Sequence, residues 1–317
     1  MRKKKPSLTA QKKTPFFKGL KQDMVKNYDL YLMAIPGVLF YIFFKYWPMY
    51  GLQIAFRNFN PALGITGSPW VGWKYFEKFV TGFNFTTLLT NTFMISLYAL
   101  LVGFPIPIIL ALLLNSNEHI RFKKTVQMVT YAPHFISTVV MVSLLNVFFG
   151  QSMGLINNLM DSMGLERIMF LGKPQYFRHM YVWSGVWQNM GWNAIIYISA
   201  LSGVSPDLHE AATVEGATRL QRIWHIDLPH ILPTATILLI MNCGNLLSVG
   251  FDKVYLMQND QNIRHAQVIS TYVYEMGLLK NQMSFSTAVG LFNSVISLIL
   301  LTTVNQISKK LGETSLW

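Results

Sequence analysis

Six apolar stretches dominate the chain, at about 30–55, 88–114, 125–149, 180–203, 231–250 and 286–307. Each is long enough for a helix to cross roughly 30 Å of hydrocarbon, which takes about 20 mainly apolar residues. Inside a bilayer every backbone N–H and C=O needs an internal partner, so only helices and closed barrels span it. Runs of this length predict an all-α membrane protein. The composition agrees: 13% of residues are charged, against about 25% in soluble domains. The net charge of +12 therefore does not point to nucleic acid. Of the 26 Lys and Arg residues, 16 fall in the N-terminal tail, Asn115–Lys124, the polar insert before 230 and the C-terminal tail. Basic residues mark the cytoplasmic side, so both termini are expected there. The first apolar stretch is too long for the core of a cleaved signal and reads as an anchor.

The expected organisation is a basic tail at 1–29, a six-helix membrane domain at 30–308 with a cytoplasmic loop at 204–230, and a C-terminal tail at 309–317. The single cysteine, Cys243, excludes an intrachain disulfide. No GxxxxGK[ST] phosphate loop occurs, nor an HExxH metal motif. The histidines are scattered, so no metal site is expected. His134, in "YAPHF", reads as a packed, hydrogen-bonded residue. Four apolar runs hold no Asp, Glu, Lys or Arg from Leu88 to Leu114, Met180 to Pro206, Ile231 to Phe251 and Asn281 to Ser308. Ion-coupled carriers keep intramembrane acids, so their absence argues against ion coupling and favours a neutral solute.

The insert "EAATVEGATRLQRIWHIDLP", Glu210–Pro229, interrupts two apolar runs. Pro206 and Asp207 suit a first helical turn. Gly216 permits a sharp turn. A second helix from about Thr218 would end at Pro229. An amphipathic loop resting on headgroups is one reading of such an insert, and Arg219 and Arg222 would then meet phospholipid.

The detailed spacing is more specific. Glu-Ala-Ala, three residues, Gly, nine residues, Ile, one residue and Leu-Pro resembles the signature of inner-membrane permeases of binding-protein-dependent ABC importers. The segments "YDLYLMAIPGVLFYIFFKYWPMYGLQIAF" and "SPWVGWKYFEKF" are similar to the MalF/LplB-type branch that takes up complex carbohydrates. The resemblance implies a type I importer permease fold. It implies a coupling loop, carried by Glu210, Ala211, Ala212, Gly216, Ala217, Ile226, Leu228 and Pro229, that docks on a cytoplasmic ATPase. It also implies a second homologous permease, two ATPase subunits that bind the ATP, a solute-binding protein and surrounding lipid as partners. No cofactor is expected in the chain itself.

Counting outward from that motif places Trp187, Gln188, Asn189, Trp192, Asn193, Asn242, Asn245 and Ser248 at or beside a sugar path. Amides suit hydroxyls and indole faces suit sugar C–H surfaces. The same residues also suit helix–helix bridging and an interfacial aromatic belt. Asn242, Asn245 and Ser248 are expected three apart on one helical face. The outward loops, with Trp70, Trp73, Asn157 and Asn158, are expected to receive the binding protein. Cargo of another kind (peptide, polyamine or phosphate), or a membrane-embedded enzyme or scaffold, are the competing readings.

Overall fold

A computed structural model describes residues 23–310 and 315–316. Residues 1–22 of the expected basic tail, and 311–314 and 317 of the expected C-terminal tail, lie outside the described residues. The chain divides into two compact units, Met1–Gln53 and Ile54–Trp317. Among the described residues the one β feature is an isolated antiparallel bridge between Arg57 and Trp70.

The first unit holds α1 (Tyr28–Tyr41), which continues through a π turn at Ile42–Tyr46 into a 3₁₀ segment that begins at Trp47; no residue of α1 is buried. A helix that is apolar on all sides belongs in a protein core or across a membrane, and Tyr28–Phe56 has the length and hydropathy of a span.

The second unit holds the remaining helices. After α2 (Lys74–Val80) come α3 (Phe85–Gly103) and α4 (Pro105–Ser116), which together form one apolar rod of 32 residues. Pro105 opens α4, where its missing N–H costs nothing. The expected span at 125–149 is not one helix. α5 (Ile120–Tyr131) passes through a 3₁₀ turn at Ala132–Phe135, and α6 (Thr138–Phe149) leaves at 103°. Pro133 sits at the start of that 3₁₀ turn and Ser137 caps α6 by accepting the Val140 N–H. Two helix-boundary residues within one apolar run break it there.

α7 (Leu155–Ser162) lies in an expected outward loop, and α8 (Pro174–Leu201) runs for 28 residues. Among the described residues four helices are long and apolar enough to cross a membrane, or five if the bent pair is one span. α8 has the length, but its amides and aromatic rings dilute its hydropathy and it is not among them. The expected fifth span begins earlier than the sequence suggests. α10 (Arg219–Arg222), a π turn at Ile223–Asp227 and α11 (Leu228–Gly244) form one rod of 26 residues. It follows α9 (Pro206–Val214). Pro229 thus does not end a helix; it lies in the first turn of α11. In the π turn the Leu228 N–H reaches back five residues to the Ile223 carbonyl. That wider turn accommodates a ring that would crowd a regular i–4 carbonyl. Three short helices, α12 (Phe251–Met257), α13 (Ile263–Ala266) and α14 (Ile269–Tyr274), precede α15 (Met283–Lys310).

Helices in lipid associate through close packing, because hydrocarbon is as apolar as leucine. The glycines show where backbones approach. A Cβ on Gly191 of α8 would meet the Thr130 carbonyl of α5, and one on Gly244 would stand 2.7 Å from Leu301 Cδ1 of α15. Ala111 and Leu112 of α4, Ala194, Tyr197 and Leu201 of α8, and Ile231 and Ala235 of α11 form one buried cluster beside the 204–230 insert. A second joins Ile95, Val142, Phe177, Val254 and Val268. Between them lies a cavity.

Candidate functional site

The cavity has a volume of about 480 Å³ and is walled by α3, α4, α8, the end of α11 and the start of α12. Six residues anticipated from the sequence line it: Gln188, Asn189, Asn193, Asn242, Asn245 and Ser248. Trp187 and Trp192 do not. Trp192 stacks flat on His134, with centroids 4.3 Å apart and planes 5° from parallel. His134 Nδ1 lies 3.0 Å from Asn189 Oδ1; with the proton on Nδ1 the ring donates to the amide. His134 is therefore packed and hydrogen-bonded, as its sequence context suggests.

The amides split into two kinds. Gln188 donates across the helix boundary to the Ile136 carbonyl at 2.7 Å, beside the break between α5 and α6. Gln188 and Asn189 thus bridge helices while lining the cavity. Asn242 and Asn245 donate within their own chain segment, to the Leu238 and Met241 carbonyls at 2.8 and 3.1 Å. Among the described residues neither makes an interhelical hydrogen bond. These two are linings first. They do not share a helical face with Ser248, because α11 ends at Gly244, Asn245 caps it and Ser248 sits in the non-helical 245–250 segment. That segment lines the cavity and leads directly into α12.

Sequence reasoning missed what α12 delivers. Lys253 lines the cavity, although it stands two residues beyond a charge-free run. Its Nζ donates to the Tyr181 carbonyl at 2.9 Å and lies 4.9 Å from the Tyr181 ring centroid. Burial pushes its pKa down to about 8. The charge-free run ends at Phe251, and Lys253 just beyond it places a cation on the cavity wall.

The 204–230 insert folds as the local sequence dictates. Pro206 and Asp207 open α9. Gly216 takes φ +80° and makes the turn. Thr218 and Gln221 form a reciprocal capping box that starts α10. The turn encloses a shallow hollow of about 360 Å³ lined by Ala212, Gly216, Ala217 and Ile226, together with Glu215, Gln221, Arg222 and His225. Glu210 and Ala211 are exposed on α9, Leu228 packs against the buried cluster beside the insert, and Pro229 is exposed. Arg219 pairs with Glu118 at 3.2 Å, and Arg222 donates to the Thr213 hydroxyl at 2.8 Å. One residue holds the piece together. Asp227 is 1% exposed, and its Oδ1 lies 3.2 Å from both His209 Nε2 and Asn115 Nδ2.

Of the outward residues, Trp70 stacks on Phe56 at 5.4 Å and stays exposed, as does Trp73. Asn157 is fully buried. It donates to the Gly150 and Ile168 carbonyls, both at 2.9 Å, and accepts the Ile168 N–H. It staples a loop and offers nothing to a docking partner; Asn158 remains exposed.

The family model for the inner membrane component of binding-protein-dependent transport systems matches residues 103–312. The chain belongs to this family. The permease is 43% identical over 312 residues to protein LplB of Bacillus subtilis (strain 168), covering 98% of this chain and 97% of that one. It is 44% identical over 294 residues to the polygalacturonan/rhamnogalacturonan transport system permease protein YteP of the same organism, covering 93% and 92%. Among solved structures it resembles a bacterial ABC transporter involved in import of the acidic polysaccharide alginate, with TM-score 0.84, 37% identity and 92% and 99% coverage. A second match, at TM-score 0.85, 36% identity and 95% and 99% coverage, is the bacterial alginate transporter with an alginate pentasaccharide-bound periplasmic protein. The permease therefore has an all-α importer-permease fold, is a multi-pass membrane protein, and is a transport component rather than an enzyme.

Proposed function

We propose that the permease is the membrane subunit of an ATP-driven importer of oligosaccharides or polysaccharide fragments, handed over by a solute-binding protein. The observation that carries this reading is a continuity. One helical rod, Arg219–Gly244, begins at the elbow and ends beside the cavity amide Asn245. At 1.5 Å per residue, its 26 residues extend about 39 Å. The elbow and the cavity wall are thus parts of one continuous helical segment. The relatives' named cargoes are polysaccharides, and uncharged amides with a hydroxyl suit sugar hydroxyl groups.

In this reading six spans cross a bacterial plasma membrane, with α8 as one and the bent α5–α6 pair as another, and both termini are cytoplasmic. Glu210, Ala211, Ala212, Gly216, Ala217, Ile226, Leu228 and Pro229 form and support the elbow that meets the ATPase. Gln188, Asn189, Asn193, Asn242, Asn245 and Ser248 line the path, in company with a second homologous permease. ATP is bound by two partner subunits, and the permease needs no cofactor. Trp70 and Trp73 face the binding protein.

Uptake of labelled oligosaccharides by a strain lacking this gene, against its parent, tests the proposal. Selective loss of one glycan class is expected. Loss of a peptide or ion with every sugar unaffected would overturn the cargo assignment.

A further inference from the structure

Among the described residues lining the cavity, Lys253 alone has a side chain that carries a full charge. Its surroundings are built to hold an ammonium in place. The Nζ sits over the Tyr181 ring, whose negative face attracts a cation, and donates to the Tyr181 carbonyl. Gly185, one turn further along α8, leaves the space: a Cβ there would stand 3.3 Å from Nζ. The Gly185 carbonyl in turn accepts the Asn189 amide. The cation and the amide cluster are thus attached to consecutive turns of one helix. Lys253 makes no ion pair among the described residues.

An ammonium has three donors and no acceptor. One is committed to the Tyr181 carbonyl, and the ring face forms no directed bond. With a pKa of about 8, the amine is still charged at pH 7 by roughly ten to one. A desolvated cation with spare donors, in a cavity also lined by Gln188, Asn242 and Asn245, is matched by a ligand that offers a carboxylate beside hydroxyls.

We infer that Lys253 binds a carboxylate of the cargo, so that the permease favours oligosaccharides of uronic acids or similarly carboxylated sugars over neutral ones. This rests on the cavity being the sugar path proposed above.

The test uses the full transporter, with its partner permease, ATPase pair and binding protein, in proteoliposomes. Uptake of a uronic-acid trisaccharide is compared with uptake of its methyl ester, for the unaltered permease and for Lys253→Met. Taking the variant-to-unaltered ratio for each cargo cancels any selection by the binding protein. A charge-assisted hydrogen bond predicts that Lys253→Met lowers uptake of the free acid by about tenfold or more and leaves the ester within about twofold. Equal losses for both cargoes would assign Lys253 to packing or to an ion pair with the partner permease, and would overturn the inference. So would a variant that imports both normally. If the unaltered transporter imports no oligosaccharide, acid or ester, the sugar reading fails and the inference falls with it.

Discussion

Asp227 and His209 meet at 3.2 Å across the elbow, and the same carboxylate oxygen takes the Asn115 amide. The contact joins the first elbow helix, the long rod and the last turn of α4 at one buried point. Glu210 is the next residue after His209, so the exposed acid of the motif is held one position from a fixed anchor.

Replacing Asp227 with Leu removes that acceptor and strands two donors. Leaving a buried partner unpaired costs about 1–3 kcal/mol. The purified transporter should lose thermal stability, and Asp227→Asn, which retains an acceptor, should lose less. Thermal melts in detergent would decide it; an unchanged melting temperature for Asp227→Leu would show that the contact is incidental.

Gly216 makes a sharper prediction. A Cβ built there meets nothing within 4 Å, yet φ is +80°. The constraint is backbone conformation, not space. Asn tolerates this region and β-branched residues do not. Gly216→Asn should keep uptake near the unaltered level. Gly216→Val, with a conformational strain of about 1–3 kcal/mol, should lose most of it while still inserting into the membrane. Equal activity of the two variants would remove the turn from the account.

The cavity residues predict a separation of effects. Asn242→Ala with Asn245→Ala should raise the concentration of cargo-loaded binding protein needed for half-maximal uptake, with little change in thermal stability. Trp192→Ala should do the reverse, because its ring covers His134 rather than the cavity. Uptake kinetics and melts on the same preparations would show it, and a pure uptake defect in Trp192→Ala would return that ring to the path.

At Gly191 the prediction concerns packing. A side chain there meets the Thr130 carbonyl of α5, so Gly191→Val should force α8 and α5 apart. Reduced yield of folded transporter, measured by size-exclusion chromatography, is the expected result.

The elbow was legible because its information is local. Pro206, Gly216 and the Thr218–Gln221 box act within a few residues of themselves. The convergence of Gln188, Asn189, Asn193, Asn242 and Asn245 was legible through the family pattern. The limits were tertiary. Pro229 reads as a stop, but a π turn absorbs it. The 125–149 run reads as one span by hydropathy, yet Pro133 and Ser137 turn it through 103°. Asn157 looks like an exposed loop amide and is a buried staple. Lys253 was hidden because nothing in the sequence says that residues 245–250 line the cavity and bring a loop cation to its wall.

The central claim is that ATP hydrolysis on partner subunits moves sugar through this cavity by way of the elbow. Its most direct test is accumulation of labelled oligosaccharide in proteoliposomes containing the complete transporter. The account predicts accumulation that requires both ATP and binding protein and is lost with Gly216→Val. Accumulation that persists without ATP, or that Gly216→Val leaves intact, would contradict it.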